Sequence, residues 1–136
     1  MSSRFPGFQK ALIMAVGVLT LCTAAVVSFA FSNRTRACLD APRAGDLYMA
    51  RISALRPGVT ATSYALLRVE EVRGDRIVAR ASSERSSNKR RIYRQLDEVK
   101  RKAAAFAPSD VFMLPRDDLR ELHDRGVILV ARHLDS

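Results

Sequence analysis

The feature that most constrains this chain is an uncharged run of 21 residues, from Ala11 to Phe31. A helix of that length rises about 31 Å at about 1.5 Å per residue, which matches a bilayer hydrocarbon core of about 30 Å. The run therefore predicts a transmembrane helix at 11–31, preceded by a short tail at 1–10. Through this segment the chain is expected to contact membrane lipid.

The same segment also has the general form of a secretory signal. Arg4 and Lys10 precede the apolar stretch, and Ser28-Phe29-Ala30 resembles a small-x-small cleavage site. The run is, however, longer than the roughly 7–15 apolar residues of a typical signal. We therefore predict an uncleaved anchor, and the alternative is a secreted soluble protein released by cleavage.

The charges on the two sides of the run point to different orientations. Four arginines within 32–51 outnumber the two basic residues that precede the run, which would place the domain in the cytoplasm. A short basic tail before a first apolar segment is instead typical of an anchor whose C-terminal side lies outside. We predict a single-pass protein of the inner (plasma) membrane with a periplasmic, that is extracytoplasmic, domain.

The remainder of the chain is predicted to be a linker at 32–45 and one small domain at 46–136. The linker stretch is polar and contains Pro42 and Gly45 near its end. The residues that follow leave room for one domain with a modest core. Because Cys22 lies in the apolar run and Cys38 in the linker, the two cysteines do not form a disulfide framework.

Sequence patterns in the domain predict the element order β, β, β, α, β, α, β. The turn Arg73-Gly74-Asp75 separates two strand-like segments and predicts a hairpin. Apolar residues at steps of four and three from Ile92 to Phe106 predict one face of a helix. The predicted elements are strands 47–55, 64–72 and 76–81, a helix at 89–107, strand 111–114, a short helix between residues 115 and 126, and strand 127–131. The last strand lacks polar alternation and is expected to be central in the sheet.

This order predicts an α+β fold, in which the membrane helix is followed by a small curved sheet or a partly open barrel. The sheet is expected to have about five strands, accompanied by one or two helices. An SH3-like barrel, with its short helical turn before the last strand, is the nearest simple architecture by element order. No sequence motif points to a particular family.

We predict no catalytic residues, no metal ligands and no cofactor. Nucleophilic hydrolysis requires a Ser or Cys beside an oriented base, and the two histidines, His123 and His133, lie in polar sequence surroundings. One cysteine outside the apolar run, two histidines and scattered carboxylates do not form a metal-ligand set at short spacing. The domain is therefore not expected to be an enzyme or to have a small-molecule substrate.

The strongest functional candidate is the tract KRRIYRQLDEVKRK, which begins at Lys89. The chain carries a net charge of +9, which favours anionic partners. The alternative interpretation is the outer surface of an ordinary amphipathic helix, partly neutralised by Asp97–Arg101 and Glu98–Lys102 pairs at i, i+4. The predicted binding residues are Lys89, Arg90, Arg91, Arg94, Lys100, Arg101 and Lys102.

We therefore predict a non-enzymatic, membrane-anchored domain that binds a protein partner in the cell envelope. It would serve as an accessory subunit of a membrane complex or as an immunity-type protein that captures a toxin. The alternative is a cytoplasm-facing basic domain that docks on anionic lipid or nucleic acid. Nucleic acid is disfavoured because no aromatic stacking platform accompanies the basic tract.

Overall fold

The computed structural model describes residues 33–102 and 106–134, and the residues from Arg34 onward form one compact unit. The predicted tail, 1–10, and the predicted membrane helix, 11–31, lie outside the described residues. None of the helices within the described ranges combines the length and apolarity needed to cross a membrane. The helices are α1 (residues 33–40), α2 (Lys89–Arg101) and α3 (Leu119–Asp124), and the strands are β1 (Leu47–Arg51), β2 (Tyr64–Arg73), β3 (Arg76–Ser82), β4 (Pro108–Pro115) and β5 (Ile128–Arg132).

The five strands form one antiparallel sheet in the order β4-β3-β2-β1-β5. Single turns of 3₁₀-helix follow β1, at Ile52–Ala54, and β4, at Arg116–Asp118. The prediction of an α+β fold with a small sheet of about five strands is confirmed. Within the described residues the sheet is open, and β4 and β5 form its two edges.

The predicted hairpin is confirmed, with Arg73 paired to Arg76 across the turn between β2 and β3. Gly74 adopts φ +52°, a left-handed conformation that costs glycine little because it has no Cβ. A bulge between Val69 and Glu71 adds a residue to β2, which increases the local twist of the sheet.

The predicted helix at 89–107 is shorter in the structure, where α2 ends at Arg101. Lys102 is already extended, and its backbone N–H still donates to the Glu98 carbonyl. Phe106 is nevertheless buried against the same hydrophobic cluster as the helix. The chain must leave the helix before Pro108, where β4 begins, because a proline disfavours helical conformation at the residue before it.

The prediction that the last strand is central was wrong, since β5 lies at an edge of the sheet, beside β1. Its apolar side chains are buried on both faces, which explains the absence of polar alternation. Ile128 belongs to one hydrophobic cluster and Val130 to the other. A strand that is apolar on both faces can therefore lie at the edge of a sheet, provided that both of its faces are covered.

The two hydrophobic clusters lie on opposite faces of the sheet, because successive strand residues point to opposite sides. Tyr48 and Ala50 of β1 face the cluster that includes Leu39 of α1 and Leu119 of α3. On the other face, α2 contributes the buried residues Ile92, Leu96 and Val99, which pack against Leu47, Met49 and Leu66. Each fully buried aliphatic side chain of this kind contributes about 1.5–3 kcal/mol to folding.

Helix α1 falls within the stretch 32–45, for which the sequence predicted a linker. Cys38 and Leu39 are buried in the core, and the Thr35 side chain is buried as well. These three residues lie at i, i+3 and i+4, the spacing of one helical face. The polar residues Arg34, Arg36 and Asp40 are exposed or half-buried on the outer side of this helix.

Candidate functional site

The predicted binding residues lie on α2 and in the residue that follows it. We call this set the basic face: Lys89, Arg90, Arg91, Arg94, Lys100, Arg101 and Lys102. All seven are exposed, because the opposite side of the helix is buried against the sheet. The helix begins at a defined point, since the Asn88 side chain accepts a hydrogen bond of 3.1 Å from the Arg90 backbone N–H.

The ion pairs predicted within α2 do not form. Neither Asp97 nor Glu98 joins an ion pair in the described part of the chain, although Arg101 and Lys102 lie four residues further on. Lys89 instead lies over the Tyr64 ring, 5.6 Å from its centroid. The positive charges of the basic face are therefore not neutralised by the acidic residues of the same helix.

A second polar group lies where α1 meets the ends of β1 and β5. We call it the corner cluster, and it consists of Cys38, Asp46 and His133. The register of the sheet explains how it forms, because β1 pairs with β5 so that Leu47 lies opposite Arg132. The residue before β1 and the residue after β5 are then neighbours, and α1 places Cys38 above them.

The Asp46 carboxylate connects the members of the corner cluster. Its Oδ1 lies 2.6 Å from His133 Nδ1, and its Oδ2 accepts a hydrogen bond of 2.9 Å from the Arg43 backbone N–H. Cys38 Sγ lies 3.7 Å from Asp46 Oδ2 and 3.7 Å from His133 Nδ1. Asp46 is 2% exposed, Cys38 is 3% exposed and the His133 side chain is 17% exposed, so the cluster is almost fully removed from water.

Burial and the neighbouring carboxylate set the protonation state of the thiol. Burial is the larger cause and the negative charge of Asp46 the second, and together they raise the pKa of Cys38 from 9.0 to about 12. The thiol is therefore protonated at neutral pH. A nucleophilic cysteine requires a lowered thiol pKa, because the thiolate is the attacking species. The arrangement therefore does not support Cys–His covalent catalysis.

A cleft of about 620 Å³ opens beside the corner cluster, and we call it the basic cleft. Cys38 and His133 form part of its wall. Four basic residues surround the same space and come from four different places in the fold. They are Arg34 of α1, Arg43 before β1, Lys100 of α2 and Arg132 of β5. Lys100 therefore belongs both to the basic face and to the cleft.

The corner cluster was missed by sequence reasoning. The sequence surroundings of His133 are polar, yet in the structure its side chain lies against Asp46. The sequence surroundings of His123 are also polar, and its Nδ1 lies 2.8 Å from the Ile128 carbonyl oxygen. His133 is 87 residues from Asp46 and 95 from Cys38 in sequence, so no local spacing could have indicated the cluster.

Comparisons of the chain with protein-family models, with curated proteins and with solved structures return no match. A function can therefore be inferred only from the basic face, the corner cluster and the basic cleft.

Proposed function

We propose that the domain is a non-enzymatic binding module that docks an acidic protein partner in the cell envelope through the basic face. The observation that supports this most is that all seven side chains are exposed and that none joins an ion pair in the described part of the chain. Positive charges that are not neutralised within the protein raise the rate at which an acidic partner is captured.

The arrangement of charge on α2 favours a protein over lipid or nucleic acid. Arg90, Arg94, Asp97 and Arg101 follow one another at steps of four, three and four, and form a stripe opposite the buried side of the helix. A uniformly negative surface, such as a bilayer or a phosphate backbone, would be repelled by Asp97 at the centre of that stripe. A protein partner, in contrast, can place a basic residue against Asp97. Tyr93 is 37% exposed beside the stripe and is of a residue type enriched at protein interfaces.

We propose further that residues 11–31 hold this module at the inner membrane, with the domain on the periplasmic side. The length and lack of charge of that run support the anchor. Attachment to the bilayer would raise the local concentration of the domain near a membrane partner. A reporter enzyme that is active only outside the cytoplasm, fused after Ser136, is expected to be active. An inactive but intact fusion would contradict this orientation.

For the sheet, we propose the curvature of a partly open, SH3-like barrel. In its support, β1 lies between β2 and β5, and bulges interrupt three of the strand pairings. Four flat strand spacings would separate the two edge strands by about 19 Å. Spin labels on outward positions of β4 and β5 are expected to report a shorter separation. A separation equal to the flat value would contradict the barrel.

The docking proposal is tested by reversing the charge of the stripe in the full chain with Arg90→Glu, Arg94→Glu and Arg101→Glu. Partners are crosslinked in the native membrane, copurified and quantified by mass spectrometry. We expect recovery of the main crosslinked protein to fall at least about tenfold, since truncating a few central residues removes most interface energy.

The matched control applies the same change in net charge elsewhere, with Arg76→Glu, Arg116→Glu and Arg125→Glu. These arginines are exposed and lie outside α2. The control is expected to keep the partner. Equal losses in the two variants would show a general charge effect and contradict the proposal. Capture that is abolished by nuclease, or flotation of the domain with anionic vesicles but no protein crosslink, would also contradict it.

A further inference from the structure

The corner cluster brings together three chemically different metal-ligand atoms, a thiol sulfur, a carboxylate oxygen and an imidazole nitrogen. The ligand atoms of Cys38, Asp46 and His133 all lie within 4.8 Å of one another. The residues come from a helix and from the ends of two paired strands, and all three are held by the core. Such a set is preorganised before any ion arrives.

The distance between the Cys38 sulfur and the His133 nitrogen matches one edge of a tetrahedral site closely. With Zn–S of about 2.3 Å and Zn–N of about 2.05 Å, tetrahedral angles place the sulfur and the nitrogen about 3.6 Å apart. Cys38 Sγ and His133 Nδ1 are 3.7 Å apart. The carboxylate presents a different oxygen to each of them: Oδ2 lies 3.7 Å from Sγ, and Oδ1 lies 2.6 Å from Nδ1. The Nδ1–Oδ1 edge is this short because a hydrogen bond joins the two atoms. A metal that replaced the bridging proton would widen this edge to about 3.3 Å.

We propose that Cys38, Asp46 and His133 form a binding site for a divalent transition metal, with zinc as the best match, whose fourth position opens toward the basic cleft. Sulfur and nitrogen ligands favour zinc over magnesium or calcium, which require oxygen. The thiolate and the carboxylate together balance the double charge of the ion. Arg43 and Arg132 also face the thiol and oppose a cation, so both anionic ligands are needed.

Two further observations concern the fourth position. The Tyr48 side chain is fully buried, and its hydroxyl has no hydrogen-bond partner within the described residues. Tyr48 lies two residues after Asp46 and belongs to the same buried cluster as Cys38, which places it close to the site. An orphaned buried donor is costly unless a ligand or water completes it. A metal-bound water would supply that partner, and the basic cleft would accept an anion in place of the water.

Metal binding changes the protonation of two ligands. The Cys38 thiol must lose its proton to solvent, and His133 must present the Nδ1 lone pair and carry its ring proton on Nε2. At least one proton is therefore released for each ion bound, and affinity falls as the pH is lowered. No electron transfer and no co-reactant is involved.

The test is titration of the full chain, solubilised in detergent and freed of metal by a chelator, with Co²⁺ and then with competing Zn²⁺. Cobalt reports a thiolate ligand by a charge-transfer band in the near ultraviolet, and tetrahedral geometry by intense visible bands. We expect one Co²⁺ per chain, both signatures, and their loss when Zn²⁺ displaces the cobalt.

Two ligand variants and two matched controls decide the assignment. Cys38→Ser is expected to lose the charge-transfer band. Loss of a residue that only hydrogen-bonds to a metal ligand typically lowers metal affinity by about 10- to 100-fold. His133→Gln removes a ligand itself and is expected to lower the affinity by more than this. The controls Cys22→Ser and His123→Gln remove the other thiol and the other imidazole, and are expected to bind as the unmodified chain does.

Three results would overturn the site: no cobalt uptake by the unmodified chain, a charge-transfer band that persists in Cys38→Ser, or unchanged affinity in His133→Gln. Circular dichroism of each variant establishes that it is folded. If Cys38→Ser does not fold, His133→Gln decides alone, since its ring is partly exposed at the cleft. The basic face is untouched by these changes, so partner capture is expected to continue whichever result is obtained.

Discussion

The basic face and the corner cluster show opposite ways of placing charge in a small domain. The basic face carries seven positive side chains in water, none of them ion-paired within the described residues. The corner cluster has three titratable side chains, removed from water and joined through one carboxylate. Solvent and salt screen the first set strongly and the second very little. The number of charges in a region is therefore a poor guide to its effect on stability.

The difference also separates binding from folding. Exposed charges that form no ion pair in the fold can be altered at little cost to stability, and they act on molecules that approach from outside. Buried groups that satisfy one another are part of the fold itself, and removing one leaves the others unpaired. Three experiments on the metal-free chain sharpen this contrast.

The largest effect is expected from Asp46→Ala. This change removes the acceptor of the Arg43 N–H and of His133 in a buried setting, and is expected to lower the free energy of unfolding by about 3 kcal/mol. The control is Asp40→Ala, which removes a half-exposed carboxylate paired with Arg120 at 3.2 Å. It is expected to cost at most about 0.5 kcal/mol. Urea denaturation measures the free energy of unfolding of both variants. Similar losses in the two would contradict the difference between buried and exposed charges.

An intermediate effect is expected from alkaline pH. The folded-state pKa of Cys38 is about 12, above its ordinary value of 9.0, so the folded protein resists ionisation that the unfolded chain permits. The stabilisation is complete below pH 9 and is lost as the pH rises toward 12. By about pH 10 the loss amounts to roughly 1.4 kcal/mol.

This dependence is measured from urea midpoints between neutral pH and about pH 10, with a chelator present. Cys38→Ala is expected to show a flatter profile than the unmodified chain, while other groups, Cys22 included, contribute equally to both. Parallel profiles would show that the buried thiol is not the titrating group.

The smallest effect is expected from the triple reversal of Arg90, Arg94 and Arg101 to glutamate. Glutamate near the start of α2 is favoured by the helix dipole, and glutamate near its end is disfavoured, so the two contributions largely cancel. We expect the free energy of unfolding to change by less than about 0.5 kcal/mol, although partner capture is lost. A large loss of stability would mean that the side chains of the basic face contribute to the stability of the fold and not only to binding.

Local pattern was enough to predict the hairpin around Gly74 and the apolar face of α2. Each depends on residues close together in the chain, as does the exposure of the basic face. Helix α1 was missed although Thr35, Cys38 and Leu39 carry a helical spacing, because its outer residues resemble a polar linker. The corner cluster was not predictable at this level. It requires the pairing of β1 with β5, which depends on the packing of the whole sheet.

The placement of β5 beside β1 has a consequence for synthesis. Cys38, Asp46 and β1 leave the ribosome long before Ile128, yet β5 pairs with one edge of β1, and His133 after it contacts Cys38. A nascent chain that lacks β5 therefore displays an unpaired strand edge, a kind of surface that is prone to aggregation. The corner cluster can therefore close only after β5 and His133 have been synthesised.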